Sequence, residues 1–164
     1  MKNVFFLTII IFFAFLSCRS DEDSVQRIDQ VINLYIDSLG QDMLNSKVSG
    51  SYTNSRMNDV YGLTDNAPVS FTIKKDEDTI SYIEYLAGAK RIGIDSSGNS
   101  KTYESKVALF LTKKVNDSNR VTNDTITIQY LSTPELFQVS KLWYNGVLQF
   151  TKVEGQPNTV KIVK

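Results

Sequence analysis

Residues 24–43 read SVQRIDQVINLYIDSLGQDM, and whether this stretch is helix or strand decides the class of fold. Val25, Ile28, Val31, Ile32, Tyr35, Ile36, Leu39 and Met43 recur at helical spacing, which places them on one face. Gln26, Arg27, Asp29, Gln30, Asn33 and Asp37 fall mostly elsewhere. Ser24 stands where an N-cap belongs, and Asp21, Glu22 and Asp23 would favour the positive end of the helix dipole. Gly40 supplies a C′ residue, or lies inside a helix running on to Asn45. The expectation is one amphipathic helix whose apolar stripe needs a cover.

Downstream the chain is strand-rich. Residues 46–68 are polar and lack a clear period, with an edge strand over 48–53 and one helical turn capped by Asn54 or Ser55 and ending at Gly62 as candidates. Val69, Phe71 and Ile73 then alternate with polar neighbours, and a strand over 79–86 follows the Asp76-Glu77-Asp78 turn. A long strand is expected over 101–115, a polar loop over 116–123, and alternation resumes at Ile126, Ile128 and Tyr130. Asn145-Gly146 between two apolar-bearing runs is the strongest local signal, because a type I′ hairpin needs positive φ at both central residues. It pairs Tyr144 with Val147 and Trp143 with Leu148, and a last strand covers 159–163. No second long helix appears, so βαβ units are excluded. The expected class is α+β: the N-terminal helix packed on a curved antiparallel meander, resembling cystatin-like and NTF2-like folds. The alternative is a small β-barrel or sandwich.

Upstream lies an address. Met1-Lys2-Asn3 precedes an apolar run over residues 4–16 with Thr8 as its one polar member, the pattern of a secretory signal. At roughly 1.5 Å per residue that run reaches about 20 Å as a helix, short of the ~30 Å hydrocarbon core. Phe15-Leu16-Ser17-Cys18 resembles the lipobox of bacterial lipoproteins, with Phe15 where Leu is commonest. The resemblance implies lipid attachment at Cys18, cleavage between Ser17 and Cys18, and acylation of the new amino group. Several acyl chains on one residue give stable anchoring. Arg19-Ser20-Asp21-Glu22-Asp23 is similar to the acidic surface-export stretch of Bacteroidota lipoproteins, which implies an outer-membrane anchor with the protein on the cell surface. The resulting division is a signal peptide at 1–17, an acidic tether at 18–23 and one globular domain at 24–164.

Composition excludes more than it assigns. The 164 residues carry 18 Lys and Arg against 18 Asp and Glu, dispersed without a basic stripe, which argues against nucleic-acid binding. With no His and a single Cys, the commonest general base, the commonest zinc ligand and any internal disulfide are missing. No Ser begins a Ser-x-x-Lys, and no Gly-rich phosphate loop exists. Glu84 and Glu104 are the candidate carboxylate pair for glycoside cleavage, which requires them to face one another. Asp95, Ser97 and Asn99 alternate like the start of a calcium loop, but Lys106 stands where the bidentate Glu belongs; Asp76 and Asp78 form a second incomplete pair. No metal or cofactor is expected.

What remains is aromatic. Tyr82, Tyr85, Tyr103, Tyr130, Trp143 and Tyr144 fall on expected strands, and Trp143 with Tyr144 at the hairpin end are the candidate contacts for a ligand or partner. The bland reading of Trp143 is a cross-strand pair with Leu148. The expected function is a non-enzymatic, membrane-anchored binding or assembly module with a protein partner. The alternatives are carriage of a small apolar or glycan ligand between helix and sheet, and, last, a carboxylate hydrolase.

Overall fold

The computed structural model describes residues 25–164; the expected signal peptide at 1–17, Cys18, the expected tether at 18–23 and the expected N-cap Ser24 lie outside the described residues. Residues 24–43 are where the sequence expectation is overturned. No helix occurs among the described residues, and residues 25–43 supply three strands, β1 (Arg27–Asp29), β2 (Ile32–Ser38) and β3 (Gln41–Asp42). The period that matters is two: Ile32, Leu34 and Ile36 are 2%, 1% and 2% exposed, while Asn33, Tyr35 and Asp37 face outward. Leu34 lies off the proposed helical stripe, yet it is the most buried of the three. Val25 and Leu39 lie on that stripe and are 92% and 96% exposed. Leu39 and Gly40 both take positive φ, 54° and 78°, so Gly40 turns a β2–β3 hairpin instead of ending a helix. The α+β class is thus corrected to all-β.

Nine further strands complete two sheets: β4 (Tyr52–Asp59), β5 (Thr72–Lys75), β6 (Ser81–Tyr85), β7 (Ile92–Ser97), β8 (Ser100–Val115), β9 (Ser118–Ser132), β10 (Leu136–Tyr144), β11 (Val147–Thr151) and β12 (Asn158–Val163). The large sheet runs β1-β10-β9-β8-β4, with β11 also on β10 and β7 also on β8. The small sheet runs β12-β2-β6-β5, with β3 also on β2. Most pairs are antiparallel, but β1 pairs β10 and β12 pairs β2 in parallel, so the sheets are not a simple meander. One apolar cluster joins the sheets, drawing on Leu109 of β8, Ile128 of β9 and Val139 of β10 from one and Leu34, Ile83 and Val160 from the other. Fully burying a Leu or Ile side chain contributes about 1.5–3 kcal/mol.

Two polar segments are more ordered than their composition suggests. β4 occupies the middle of residues 46–68 and buries Met57 at 1% exposure against the core. The expected loop at 116–123 is instead hairpin: β8 and β9 pair residue by residue from Lys101↔Ser132 to Val115↔Ser118, leaving Asn116-Asp117 as the turn. Asn116 supplies the positive φ of 55° that this turn requires. Its strands are polar there because they extend beyond the core, so no apolar alternation marks them.

The chain changes sheets five times, and one polar knot ties two of these crossings, the one between β1 and β2 and the one between β11 and β12. Lys152, with its side chain 7% exposed, donates from Nζ to Asp29 Oδ2 (2.5 Å), the Gln156 carbonyl (2.6 Å) and Asn158 Oδ1 (2.9 Å). Asn158 Nδ2 donates in turn to Asp29 Oδ1 and the Val31 carbonyl. A buried ammonium is tolerated because its three donors are met.

Candidate functional site

The Asn145-Gly146 turn forms with φ of 49° and 79°, pairing Tyr144 with Val147 and Trp143 with Leu148. Strand alternation then separates the two candidate contact residues. Tyr144 turns into the core at 6% exposure, and burial together with the nearby Asp124 carboxylate pushes its phenol pKa far up. Its hydroxyl stays outside hydrogen-bonding geometry with any group among the described residues. Trp143 faces the other way, half-buried between Leu148 on β11 and Thr127 on β9. The structure therefore does not bring them together as one exposed contact.

Glu84 and Glu104 are also kept apart. Glu84 sits on the outer face of the small sheet, paired with Lys74 at 2.7 Å. Glu104 sits on the outer face of the large sheet and accepts the Tyr61 hydroxyl at 2.7 Å. Inward neighbours Ile83 and Ser105, both 0% exposed, place the core between the two carboxylates. They cannot share a substrate as an acid–base pair.

No group of three metal-binding side chains occurs among the described residues. Asp95 Oδ1 accepts the Ser96 amide, and Asp76 Oδ1 accepts the Ile80 amide at 2.8 Å, so both carboxylates serve their own turns.

The Tyr-rich strands divide into core and surface. Tyr85 and Tyr130 are 2% and 0% exposed. Their hydroxyls are satisfied internally: Tyr85 accepts the Ala89 amide at 2.9 Å, and Tyr130 shares a hydrogen bond with Ser105 at 2.9 Å. Arg91 lies over the rings of Tyr130 and Phe137, 4.9 and 4.8 Å from their centroids, and donates to Gln30 and the Ala87 carbonyl. These groups hold the fold. A ligand between helix and sheet has no place, since no helix is present among the described residues and the apolar cluster joins the sheets directly.

The candidate site lies instead on the outer face of the small sheet. An open groove of about 700 Å³ is lined by Asn33 and Tyr35 of β2, Tyr82 of β6, Pro157, Thr159 of β12 and the turn Lys75 to Asp78. The face is built by alternation: Ile32, Leu34 and Ile83 point inward, so Asn33, Tyr35 and Tyr82 point out. Tyr35 and Tyr82 stack with centroids 5.2 Å apart and planes at 27°. Burial, then the Asp76 carboxylate, raises the Tyr35 pKa, which keeps its hydroxyl protonated. Asn33 lies opposite Thr159 and Glu84 in register, and its Oδ1 is shielded from solvent without a hydrogen-bond partner among the described residues. Three acidic side chains, Asp76, Glu77 and Asp78, stand at one end with Lys75. Tyr82 was visible in the sequence as a strand aromatic. Tyr35 was not, because its segment reads as helix.

Neither a protein-family model, nor a curated protein, nor a solved structure matches this chain.

Proposed function

We propose that this protein is a lipoprotein anchored through Cys18 to the outer membrane, displayed on the cell surface, and acting as a non-enzymatic binding module whose binding surface is the outer face of the small sheet. The anchor rests on the Phe15-Leu16-Ser17-Cys18 resemblance and the acidic stretch behind it. The binding surface rests on one observation: the groove of about 700 Å³ floored by the Tyr35–Tyr82 stack, a concavity where two stacked aromatic rings and hydrogen-bonding groups converge. Strand addition by a protein partner is less favoured. The small sheet's path ends in β5, which carries Lys74 and Lys75, and in β12, which carries Lys161, charges that oppose edge-to-edge pairing.

Native mass spectrometry of the lipidated protein extracted from its membrane tests this. A bound mass present in the wild type and lost in Tyr35→Ala/Tyr82→Ala is the expected result. A wild type without any bound mass, or a bound mass indifferent to both tyrosines, overturns the assignment of this face.

A further inference from the structure

We infer that the groove on the small sheet binds a neutral oligosaccharide laid across β6, β2 and β12, an inference that rests on that face being the binding surface. Its shape fits an extended occupant: the lining passes from the Lys75–Asp78 turn over Tyr82, Tyr35 and Asn33 to Thr159 and Pro157. Three strands at about 4.8 Å spacing underlie that path.

The chemistry narrows the occupant. A sugar presents C–H patches and hydroxyls in alternation, and the floor offers both complements: tyrosine ring surface, and hydroxyl, amide and carboxylate groups beside it. Asn33 Oδ1 is an acceptor without a donor among the described residues. Such a group is unfavourable as it stands, and a ligand hydroxyl that reached it would donate the missing bond. Lys74 is engaged by Glu84 at 2.7 Å, and the Lys75–Asp78 turn sets three carboxylates against one ammonium. Lys161, in register with Tyr35, offsets part of that charge, so the acidic excess is confined to the turn end of the groove, where it disfavours uronic, sulfated or phosphorylated glycans. A peptide strand is excluded from the floor because β2 is already paired on both edges, by β12 and β6. A lipid chain would need an enclosed apolar slot, and this groove is open and rimmed by charge.

The test is calorimetric titration of the full lipidated protein, held in a detergent without a sugar headgroup. The probes are neutral hexasaccharides (β-1,4-glucan, β-1,4-mannan, β-1,4-xylan and α-1,4-glucan) and, as the anionic arm, hexagalacturonate. At least one neutral probe should bind, with hexagalacturonate weaker by about tenfold or more. Tyr82→Ala should weaken the neutral probe by about tenfold or more, and Tyr82→Phe, which keeps the ring, should retain most of the affinity. An unchanged melting temperature shows that Tyr82→Ala still folds, and Thr159→Ala provides a second lesion at the far end of the groove. No binding of any neutral probe, tighter binding of hexagalacturonate, or full affinity in Tyr82→Ala and Thr159→Ala overturns the inference. If every neutral probe fails while the native bound mass remains tyrosine-dependent, the saccharide class falls and the binding face stands. If that mass is absent as well, both fall.

Discussion

Asn145 Nδ2 donates to Asp124 Oδ1 at 2.8 Å, so the tip of the β10–β11 hairpin is fastened to the neighbouring strand β9. The same side chain accepts the Thr125 amide through Oδ1 at 2.7 Å, while its backbone holds a φ of 49°. Few residues combine a tolerated left-handed backbone with a donor and an acceptor. Asn145→Ala should destabilise the domain by about 1–2 kcal/mol in chemical denaturation. Asn145→Asp keeps the turn preference but sets a second carboxylate against Asp124, and should be the less stable of the two. The reverse order would show that the turn, not the bond, matters.

Asp124 also receives Lys164 Nζ, which lies over the rings of Tyr52 and Tyr144. Burial pushes the Asp124 carboxyl up, but the bonds from Lys164 and Asn145 and the nearby positive charge outweigh it, leaving the pKa below the ordinary carboxylate value. A depressed folded-state pKa contributes stability above the unfolded value of about 3.9 and loses it as pH falls through the lower folded value. Wild type should therefore lose melting temperature faster than Asp124→Asn below about pH 4. Parallel acid limbs would remove Asp124 from the account.

The Lys152–Asp29–Asn158 knot predicts strong coupling. Lys152→Ala leaves Asp29 and Asn158 facing one another without the ammonium, and should cost about 3 kcal/mol. In a double-mutant cycle with Asp29→Ala, the two losses should fall short of additivity by about 1–3 kcal/mol. Simple additivity would mean that each residue acts alone.

Strand or helix at residues 24–43 can be decided by four alanines. Leu34→Ala should cost about 2–5 kcal/mol, because its side chain is 1% exposed. Asn33→Ala, one residue away, and Val25→Ala and Leu39→Ala, on the former helical stripe, should each stay within about 0.5 kcal/mol. A large loss at Leu39 would restore the helix.

The anchor has its own measurement. Fatty-acid labelling should mark the wild type and miss Cys18→Ala, which should also remain uncut after Ser17. A wild-type protein that takes up no label removes the membrane from the proposal.

How much of this was legible depended on how local the signal was. The β10–β11 register could be read because Asn145-Gly146 demands one turn type and the turn sets the pairing. Residues 24–43 misled because Val25, Ile28, Val31 and Leu39 are apolar yet exposed, and they completed a helical stripe that burial never uses. The true signal, Ile32, Leu34 and Ile36, spans too few residues to stand out within it. That misreading also hid the groove. Tyr35 meets Tyr82 only once β2 is a strand beside β6, a pairing between distant parts of the chain that no local period announces.

The parallel pairing of β12 with β2, from Asn158↔Ile32 to Val163↔Asp37, also sets an order of events in folding. The hairpins β8–β9 and β10–β11 join neighbours and should close early, whereas β2 pairs a segment far along the chain, a closure that costs more loop entropy even though the cost grows slowly with length. Asn33 and Thr159, which share the groove, meet only when that long-range pair closes. The proposed binding face is consequently expected to form after the hairpins of the large sheet, since it needs β12 beside β2. Burst-phase hydrogen exchange should find the amides of β8 and β9 protected before those of β2 and β12.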